Sequence, residues 1–289
     1  VRYWADDVDP AQKARAAEEM REALLDRWQA AGRPRAGLEV DMLALSGGAA
    51  DGAFGAGLLT GWSETGERPV FDVVTGISVG ALIAPFAFLG PDYDPALRSI
   101  FTELDTTDVA ELQLFRALFG ALAIARTDPL RAQIERFVDE DFLAEIARAH
   151  RSGRRLLVGT TNIDAARPVI WNLGRIAELG DLELFHDVVL ASASIPGAFP
   201  PVPIEVEAGG EHFTELHVDG GVTRAVLIGP SRAEEMLPRD LPFPLDRTVY
   251  VVMNLALAPA YAPVQDRLRA IVARSLSTLI RAQAEGDVL

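Results

Sequence analysis

The sequence predicts an α/β fold in which helices cover both faces of a mostly parallel sheet. Short apolar strands alternate with helical segments along most of the chain, and this alternation is typical of strands joined by crossover helices. Two glycine-rich turns each follow a predicted strand and precede a predicted helix. The chain has 289 residues, of which 49% are hydrophobic, which is enough for one large unit with a sizeable core and appendages.

The N-terminal elements are predicted from apolar periodicity and turn residues. A helix over residues 10–31 carries large apolar side chains on one side, and we interpret it as a strut packed on the main domain. A strand over residues 40–45 and a helix over residues 52–63 flank the first glycine-rich turn. A strand over residues 71–75 leads through the second turn into a helix over residues 79–89, which is apolar on all sides and should therefore be buried.

The rest of the chain continues the same alternation. Residues 92–150 are predicted to be mainly helical. The clearest later elements are a helix over residues 139–150, strands over residues 155–161 and 168–171, a helix over residues 182–192, strands over residues 215–218 and 248–254, and an amphipathic helix from Leu268 to Ile280.

Charge and composition argue against several classes of function. The net charge is −15, whereas nucleic-acid recognition and tight binding to anionic lipid both need a basic surface. The chain has no cysteine, which excludes disulfides, thiol nucleophiles and zinc–thiolate sites. No apolar run approaches the ~20 residues that a membrane-spanning helix needs.

A G-x-S-x-G motif lies between the predicted strand over residues 71–75 and the helix that follows. Its members are Gly76, Ser78 and Gly80. In this context the serine occupies a sharp, strained turn that exposes its hydroxyl. Glycines are needed on either side because a Cβ would crowd the turn, and the N-terminus of the next helix favours developing negative charge. Ser78 is therefore the candidate nucleophile.

The candidate base is Asp219, which ends a predicted apolar strand and precedes Gly220 and Gly221. Such a turn suits the carboxyl edge of a sheet, where ligands of α/β folds bind. A free aspartate has a pKa of about 3.9 and is a weak base, but burial among apolar neighbours could raise its pKa. By itself, Asp-Gly-Gly is more often a plain turn; its combination with Ser78 favours a catalytic role.

Histidine is the usual base of a serine hydrolase, in the chain order Ser, Asp, His. The four histidines are His150, His186, His212 and His217, and none of them follows Asp219. A triad with Asp219 as its acid therefore fails, while a triad with an earlier acid stays open. His217 is the histidine to test, because in a strand it shares a face with Asp219.

The first glycine-rich turn is the candidate oxyanion hole. Backbone N–H groups of Gly47, Gly48 and Ala49 could converge on a tetrahedral oxyanion. Phosphate binding is the competing interpretation, but the lysine and hydroxyl residue of a P-loop are missing after Gly52. No dinucleotide-binding glycine motif follows a strand, and no cluster of His, Asp and Glu has metal-ligand spacing. We therefore expect no nucleotide, metal or other cofactor.

Three motifs in this order, residues 46–52, 76–80 and 219–221, together resemble the patatin-like phospholipase family and its bacterial members. Residues 191–201 also resemble the family's segment upstream of its aspartate. The resemblance implies a three-layer α/β/α fold, a Ser–Asp dyad, and phospholipase A-like hydrolysis of fatty-acyl esters. It also implies a lipid or acyl-ester substrate and transient contact with a membrane surface, without nucleic-acid or nucleotide partners.

The chain departs from the family pattern at two positions. Ala49 replaces the third glycine of the first turn, and Asp51 stands where the family carries a basic residue. A cation there would support the oxyanion or an anionic head group, and an aspartate does neither. Two alternatives to a phospholipase therefore stay open: a neutral-lipid or short-chain carboxylesterase, and a catalytically inert hydrolase-fold binding protein.

The expected organisation has three segments: an N-terminal helical extension over residues 1–37, a hydrolase domain over residues 38–260, and a C-terminal helix over residues 261–289 packed on that domain. Because the first residue is Val1, we expect a leader that is absent or was trimmed. The bacterial cell envelope and the cytoplasm both stay open.

Residues 114–125 are strongly apolar, with one charge in twelve positions. A helix of this length spans ~18 Å, too short to cross a bilayer. Two interpretations stay open: a core helix, which is the commoner use of such a run, or a helix that flanks the entrance and contacts the acyl chain or the lipid surface.

Overall fold

The computed structural model describes residues 1–48, 51–102, 127–228, 238, 240–258, 261 and 263–288. The candidate entrance segment over residues 114–125 and the candidate oxyanion donor Ala49 lie outside these described residues.

The described elements alternate along the chain as predicted. The strands are β1 (Arg2–Trp4), β2 (Leu38–Leu45), β3 (Val73–Ile77), β4 (Arg155–Asn162), β5 (Arg167–Asn172), β6 (Val202–Ala208), β7 (Glu211–Asp219) and β8 (Leu245–Val252). The α-helices are α1 (Pro10–Ala30), α2 (Gly52–Glu64), α3 (Val79–Leu89), α4 (Asp94–Thr102), α5 (Asp128–Phe137), α6 (Glu140–Arg151), α7 (Leu173–Leu179), α8 (Leu182–Ser192) and α9 (Leu268–Val288).

The strands form one sheet whose main order is β1-β5-β4-β3-β2-β8. Four adjacent strands in this order, β4, β3, β2 and β8, are parallel to one another. On the other side of β4, β5 pairs antiparallel with β4, and β1 pairs antiparallel with β5. The hairpin of β6 and β7 joins through antiparallel pairing of β7 with the end of β4. The predicted α/β fold with a mostly parallel central sheet is therefore confirmed.

Alternate residues of β2 show that both faces of the sheet are covered. Leu43 and Leu45 belong to the main core, which also contains α3 and α8. Val40 and Met42 belong to a second core that includes Leu24 of α1. Because successive side chains of a strand point to opposite faces, the sheet lies between two helical layers, as the α/β/α fold requires.

The sheet register brings the ends of β3 and β7 together. Ile77, the last residue of β3, pairs with Gly159 of β4. Asp219, the last residue of β7, pairs with Thr160, the next residue of β4. Strands β3 and β7 run in opposite directions and meet end to end along one edge of β4. The residues that follow β3 and end β7 are therefore neighbours.

Several elements differ from the predictions. Strand β1, helix α7 and strand β6 were not predicted, and the short strand expected over residues 215–218 is the end of the nine-residue strand β7. Strand β8 spans Leu245–Val252, a shift of a few residues from the predicted 248–254. The β6–β7 hairpin has a clear signal: the two glycines of its turn, Gly209 and Gly210, have φ of 63° and 84°, as two-residue hairpin loops require.

Helix α3 confirms the expectation of an internal helix, because ten of its eleven residues are buried. Within the described part of the chain, no helix has the length and apolar character needed to cross a membrane.

Candidate active site

Ser78 lies in a strained turn between β3 and α3. Its φ is 55° and its ψ is −125°, a backbone conformation that residues other than glycine rarely adopt. The flanking glycines are required by space. A Cβ on Gly76 would lie 2.4 Å from the carbonyl oxygen of Gly80, and a Cβ on Gly80 would lie 2.5 Å from that of Leu45. The motif therefore forms the expected elbow geometry.

Ser192, the last residue of α8, holds the elbow in place. Its Oγ accepts a hydrogen bond from the Ser78 N–H at 3.0 Å and donates one to the Gly159 carbonyl at 2.7 Å. The side chain is fully buried. Sequence reasoning noted the stretch over residues 191–201 but assigned no role to Ser192, because nothing local to that stretch shows what it contacts.

Asp219 is buried at the end of β7, with 3% of its surface exposed. Its Oδ1 accepts a hydrogen bond from the Gly221 N–H at 2.6 Å, and its own N–H donates to the Ser194 carbonyl at 2.9 Å. Its Oδ2 is buried and has no hydrogen-bond partner in the described part of the chain. One carboxylate oxygen is therefore held by the turn and the other has no partner.

Burial raises the pKa of Asp219 to about 7, while hydrogen bonding from Ser78 and from the Gly221 N–H acts in the opposite direction. The Ser78 hydroxyl is thus close enough to influence the carboxyl, although Oδ2 forms no hydrogen bond of normal geometry with it. Such looser contacts are common in the absence of substrate. The structure therefore brings the predicted nucleophile and the predicted base together.

The glycines after Asp219 leave room for this approach. A Cβ on Gly220 would lie 2.5 Å from the carbonyl oxygen of Gly159, and a Cβ on Gly221 would lie 2.9 Å from Oδ1 of Asp219 itself. A larger residue at Gly220 would push the turn away from β4, and a larger residue at Gly221 would displace the Asp219 carboxylate.

Among the described residues, none of the four histidines hydrogen-bonds to Ser78 or Asp219. His217, the histidine to test, is fully buried and uses both ring nitrogens elsewhere: Nδ1 lies 2.9 Å from Thr160 Oγ1 and Nε2 lies 3.2 Å from Glu215. Burial lowers the pKa of His217, and hydrogen bonding and charge attraction from Glu215 oppose the change. These contacts point to a structural role for His217.

The other buried histidines are also bound elsewhere. His150 Nδ1 lies 3.2 Å from the Arg154 carbonyl, and His186 Nε2 lies 2.7 Å from the Val138 carbonyl. His212 is exposed on β7. The contacts of the described histidines therefore offer no support for a triad.

The first glycine-rich turn lies beside the nucleophile. A Cβ on Gly47 would lie 3.2 Å from the Ser78 Cβ and 3.8 Å from its Oγ. However, the Gly47 N–H donates a hydrogen bond to the Ala225 carbonyl at 3.0 Å. The Gly47 N–H, one of the three predicted oxyanion donors, is therefore engaged within the protein in this structure. Among the described residues, the Gly48 N–H has no hydrogen-bond partner.

Asn254 fixes the shape of this turn. Its Nδ2 donates to the Ser46 carbonyl at 2.8 Å, its N–H donates to the Ser46 Oγ at 2.8 Å, and its Oδ1 accepts from the Gly55 N–H at 3.1 Å. A Cβ on Gly48 would lie 2.6 Å from the Asn254 backbone. Sequence reasoning placed Asn254 at the end of a strand and missed this role.

The first two turns of α2, next to the glycine-rich turn, expose both a carboxylate and apolar side chains. Asp51 is exposed, and within the described structure its side chain forms no capping hydrogen bond to the helix. Phe54 and Leu58 on α2 are 58% and 44% exposed. No group of three or more His, Asp or Glu side chains among the described residues is arranged to hold a metal ion.

Comparisons with known proteins identify the family. No curated protein matches the sequence. The crystal structure of VipD from Legionella pneumophila matches with 14% identity, a TM-score of 0.40 and coverage of 76% of this chain. This chain spans 50% of the length of VipD. The model of the patatin-like phospholipase family matches residues 43–230, which include all three motifs. The chain therefore belongs to the patatin-like phospholipase family.

Proposed function

We propose that the chain hydrolyses fatty-acyl esters of lipids through an acyl-enzyme on Ser78, with Asp219 as the general base. Family membership supports lipid acyl hydrolysis in general. The observation that carries the proposal is the burial of Asp219 beside Ser78, with one carboxylate oxygen lacking a partner and a pKa raised to about 7. A base whose pKa lies near neutral pH is well matched to proton transfer.

In the first step, the Ser78 oxygen attacks the acyl carbonyl carbon and its proton passes to Oδ2 of Asp219. The carbonyl π electrons move onto oxygen, and the resulting oxyanion accepts hydrogen bonds from the N–H groups of Gly48 and Ala49. When the tetrahedral intermediate collapses, the bond to the alcohol breaks and the alcohol takes the proton from Asp219. The acyl group is then an ester on Ser78.

In the second step, water attacks the acyl-enzyme and Asp219 accepts the proton of that water. Collapse of the second tetrahedral intermediate returns the proton to the Ser78 oxygen and releases the fatty acid. In the structure the Gly221 N–H donates to Oδ1 at 2.6 Å, which leaves Oδ2 as the oxygen that accepts and returns the protons.

The surroundings of the site support an apolar substrate and a transient contact with a lipid surface. Exposed Phe54 and Leu58 lie on the helix that follows the oxyanion turn. The exposed carboxylate of Asp51 at the start of that helix, together with the net charge of −15, disfavours anionic head groups. This observation favours the second candidate, a neutral-lipid or short-chain carboxylesterase.

The test combines a fluorophosphonate probe with a panel of acyl esters: p-nitrophenyl butyrate and palmitate, phosphatidylcholine and phosphatidylglycerol. Ser78→Ala should lose probe labelling and hydrolysis of every substrate. Ser194→Ala is the matched control, because Ser194 is also buried near Asp219 and its Oγ contacts only the Leu190 carbonyl in the described structure. Hydrolysis of more than a few per cent in Ser78→Ala contradicts the proposal, and a wild type that does not label indicates an inert binding protein.

A further inference from the structure

Helix α9 contacts the loops of the candidate site through its C-terminal part. Gln283 donates a hydrogen bond to the Thr223 carbonyl, and Ala284 is fully buried. A Cβ on Gly221 would lie 3.9 Å from the side chain of Ile280. In contrast, Leu268 at the start of α9 is 78% exposed. The last two turns of α9 therefore pack against the segment that follows Asp219.

Asp287 makes the most extensive of these contacts. Its Oδ2 accepts hydrogen bonds from the N–H groups of Ala225 and Val226 at 2.8 and 3.4 Å, and its Oδ1 lies 3.1 Å from Arg224 Nη1. The Asp287 side chain is only 8% exposed. Hydrogen bonds from backbone N–H groups to a carboxylate are among the stronger ones in proteins, so Asp287 fixes the loop formed by residues 224–226.

That loop is in turn bonded to the oxyanion turn. The Ala225 carbonyl accepts the hydrogen bond from the Gly47 N–H at 3.0 Å. Gly47 immediately precedes Gly48, the proposed oxyanion donor. A continuous path of two hydrogen bonds therefore runs from the Asp287 carboxylate, through Ala225, to the turn beside Ser78.

We propose that Asp287 is a positioning residue for the oxyanion hole. It fixes Ala225, whose carbonyl binds the Gly47 N–H and thereby sets where the next N–H groups of the turn point. The engaged N–H of Gly47 is the anchor of the turn, and Gly48 is the first of the proposed donors. This inference rests on the proposed function, because it assigns Asp287 to the same hydrolysis. Displacement of catalytic groups by about 1 Å can cost about a hundredfold in rate.

The test compares Asp287→Ala and Asp287→Asn with the wild type in hydrolysis of p-nitrophenyl butyrate. We expect Asp287→Ala to lower kcat by about ten- to a hundredfold, with KM unchanged within about threefold because the soluble ester binds without the oxyanion contact. The midpoint of the pH–rate profile should not move, since Asp287 does not contact Asp219. Asp287→Asn should recover part of the rate, because its amide oxygen can accept from the Ala225 N–H.

Two variants serve as controls. Glu285→Ala removes an exposed carboxylate from the same helix, where it pairs with Arg281. Among the described residues, Glu285 forms no hydrogen bond or ion pair with the loop. Arg224→Ala removes the ion pair of Asp287 but leaves its hydrogen bonds to the loop. Both should keep kcat within about threefold of the wild type, since neither removes one of the two hydrogen bonds of the path to the oxyanion turn.

A second readout does not depend on activity. Amide hydrogen exchange in a peptide covering residues 43–48 should be faster in Asp287→Ala than in Glu285→Ala. Equal exchange in the two variants overturns the inference whatever the activity. An equal kcat in the two, or a shifted pH midpoint in Asp287→Ala, overturns it as well. A wild type that neither labels with fluorophosphonate nor hydrolyses esters contradicts the proposed function, and the exchange measurement still decides the role of Asp287.

Discussion

Burial of Asp219 has a consequence for stability that Asp219→Asn should reveal. The pKa of Asp219 is raised from its ordinary value of 3.8 to about 7, so the folded chain binds this proton more tightly than the unfolded chain. The stability associated with the proton is fully present below pH 3.8 and is lost as the pH rises to about 7. At about 1.4 kcal/mol per pH unit, the loss approaches about 4 kcal/mol. Because Asp219 is fully buried, solvent screening reduces it little.

The assay is urea unfolding of the wild type and Asp219→Asn at pH values from 4 to 8, with the free energy of unfolding obtained by linear extrapolation. The cost of burying an amide in place of the carboxyl does not depend on pH. The informative quantity is therefore the change with pH of the difference between the two proteins. We expect Asp219→Asn to gain about 4 kcal/mol relative to the wild type between pH 4 and pH 8.

Ser78→Ala is the matched control, because it removes the nucleophile and keeps the buried carboxyl. It should lose stability with rising pH as the wild type does. A difference between Asp219→Asn and the wild type that stays flat from pH 4 to pH 8 would refute the reasoning. In the same range, kcat/KM of the wild type should rise through a midpoint near the Asp219 pKa of about 7, as the carboxylate forms.

Three further predictions follow from single residues. His217→Ala should cost about 1–3 kcal/mol of stability by leaving buried partners without hydrogen bonds, yet keep short-ester hydrolysis within about threefold, and a loss as severe as that of Asp219→Asn would restore the triad. Gly80→Ala should cost about 1–3 kcal/mol in urea unfolding, because its Cβ would lie 2.5 Å from the Leu45 carbonyl; unchanged stability would show that the elbow can relax. Asp51→Lys should favour anionic phospholipid over neutral esters by about fivefold, or about 1 kcal/mol, and an unchanged preference in a vesicle assay would show that Asp51 points away from the lipid.

The local motifs of the site could be predicted because their requirements are local. The elbow needs glycines two positions before and two positions after Ser78, and the turn needs small residues immediately after Asp219. Part of each requirement lies within the motif itself, because a Cβ on Gly76 would meet the Gly80 carbonyl and a Cβ on Gly221 would meet Oδ1 of Asp219. The β6–β7 hairpin could also have been predicted, since its Gly209-Gly210 turn is a strong hairpin signal. In contrast, the three-residue strand β1 is too short to produce a periodic pattern.

The contacts that support the site could not be predicted because they join distant segments. Ser192 meets the elbow across 114 positions of the chain, and Asn254 meets the oxyanion turn across 208. Serine and asparagine occur throughout any chain, so residue type alone does not mark these two. Asp287 shares this property: only the packing of α9 against residues 223–226 reveals what its carboxylate holds.

The sequence by itself determined the family and most of the alternating strands and helices, and it predicted Ser78 as nucleophile and Asp219 as base, because periodicity and turn chemistry are properties of short segments. Only the tertiary structure shows which N–H groups of the oxyanion turn are hydrogen-bonded. The Gly47 N–H donates to the Ala225 carbonyl, whereas the Gly48 N–H has no partner among the described residues. Burial in the tertiary structure also raises the pKa of Asp219 to about 7, because desolvation depends on what surrounds a carboxyl in space and not on its neighbours along the chain.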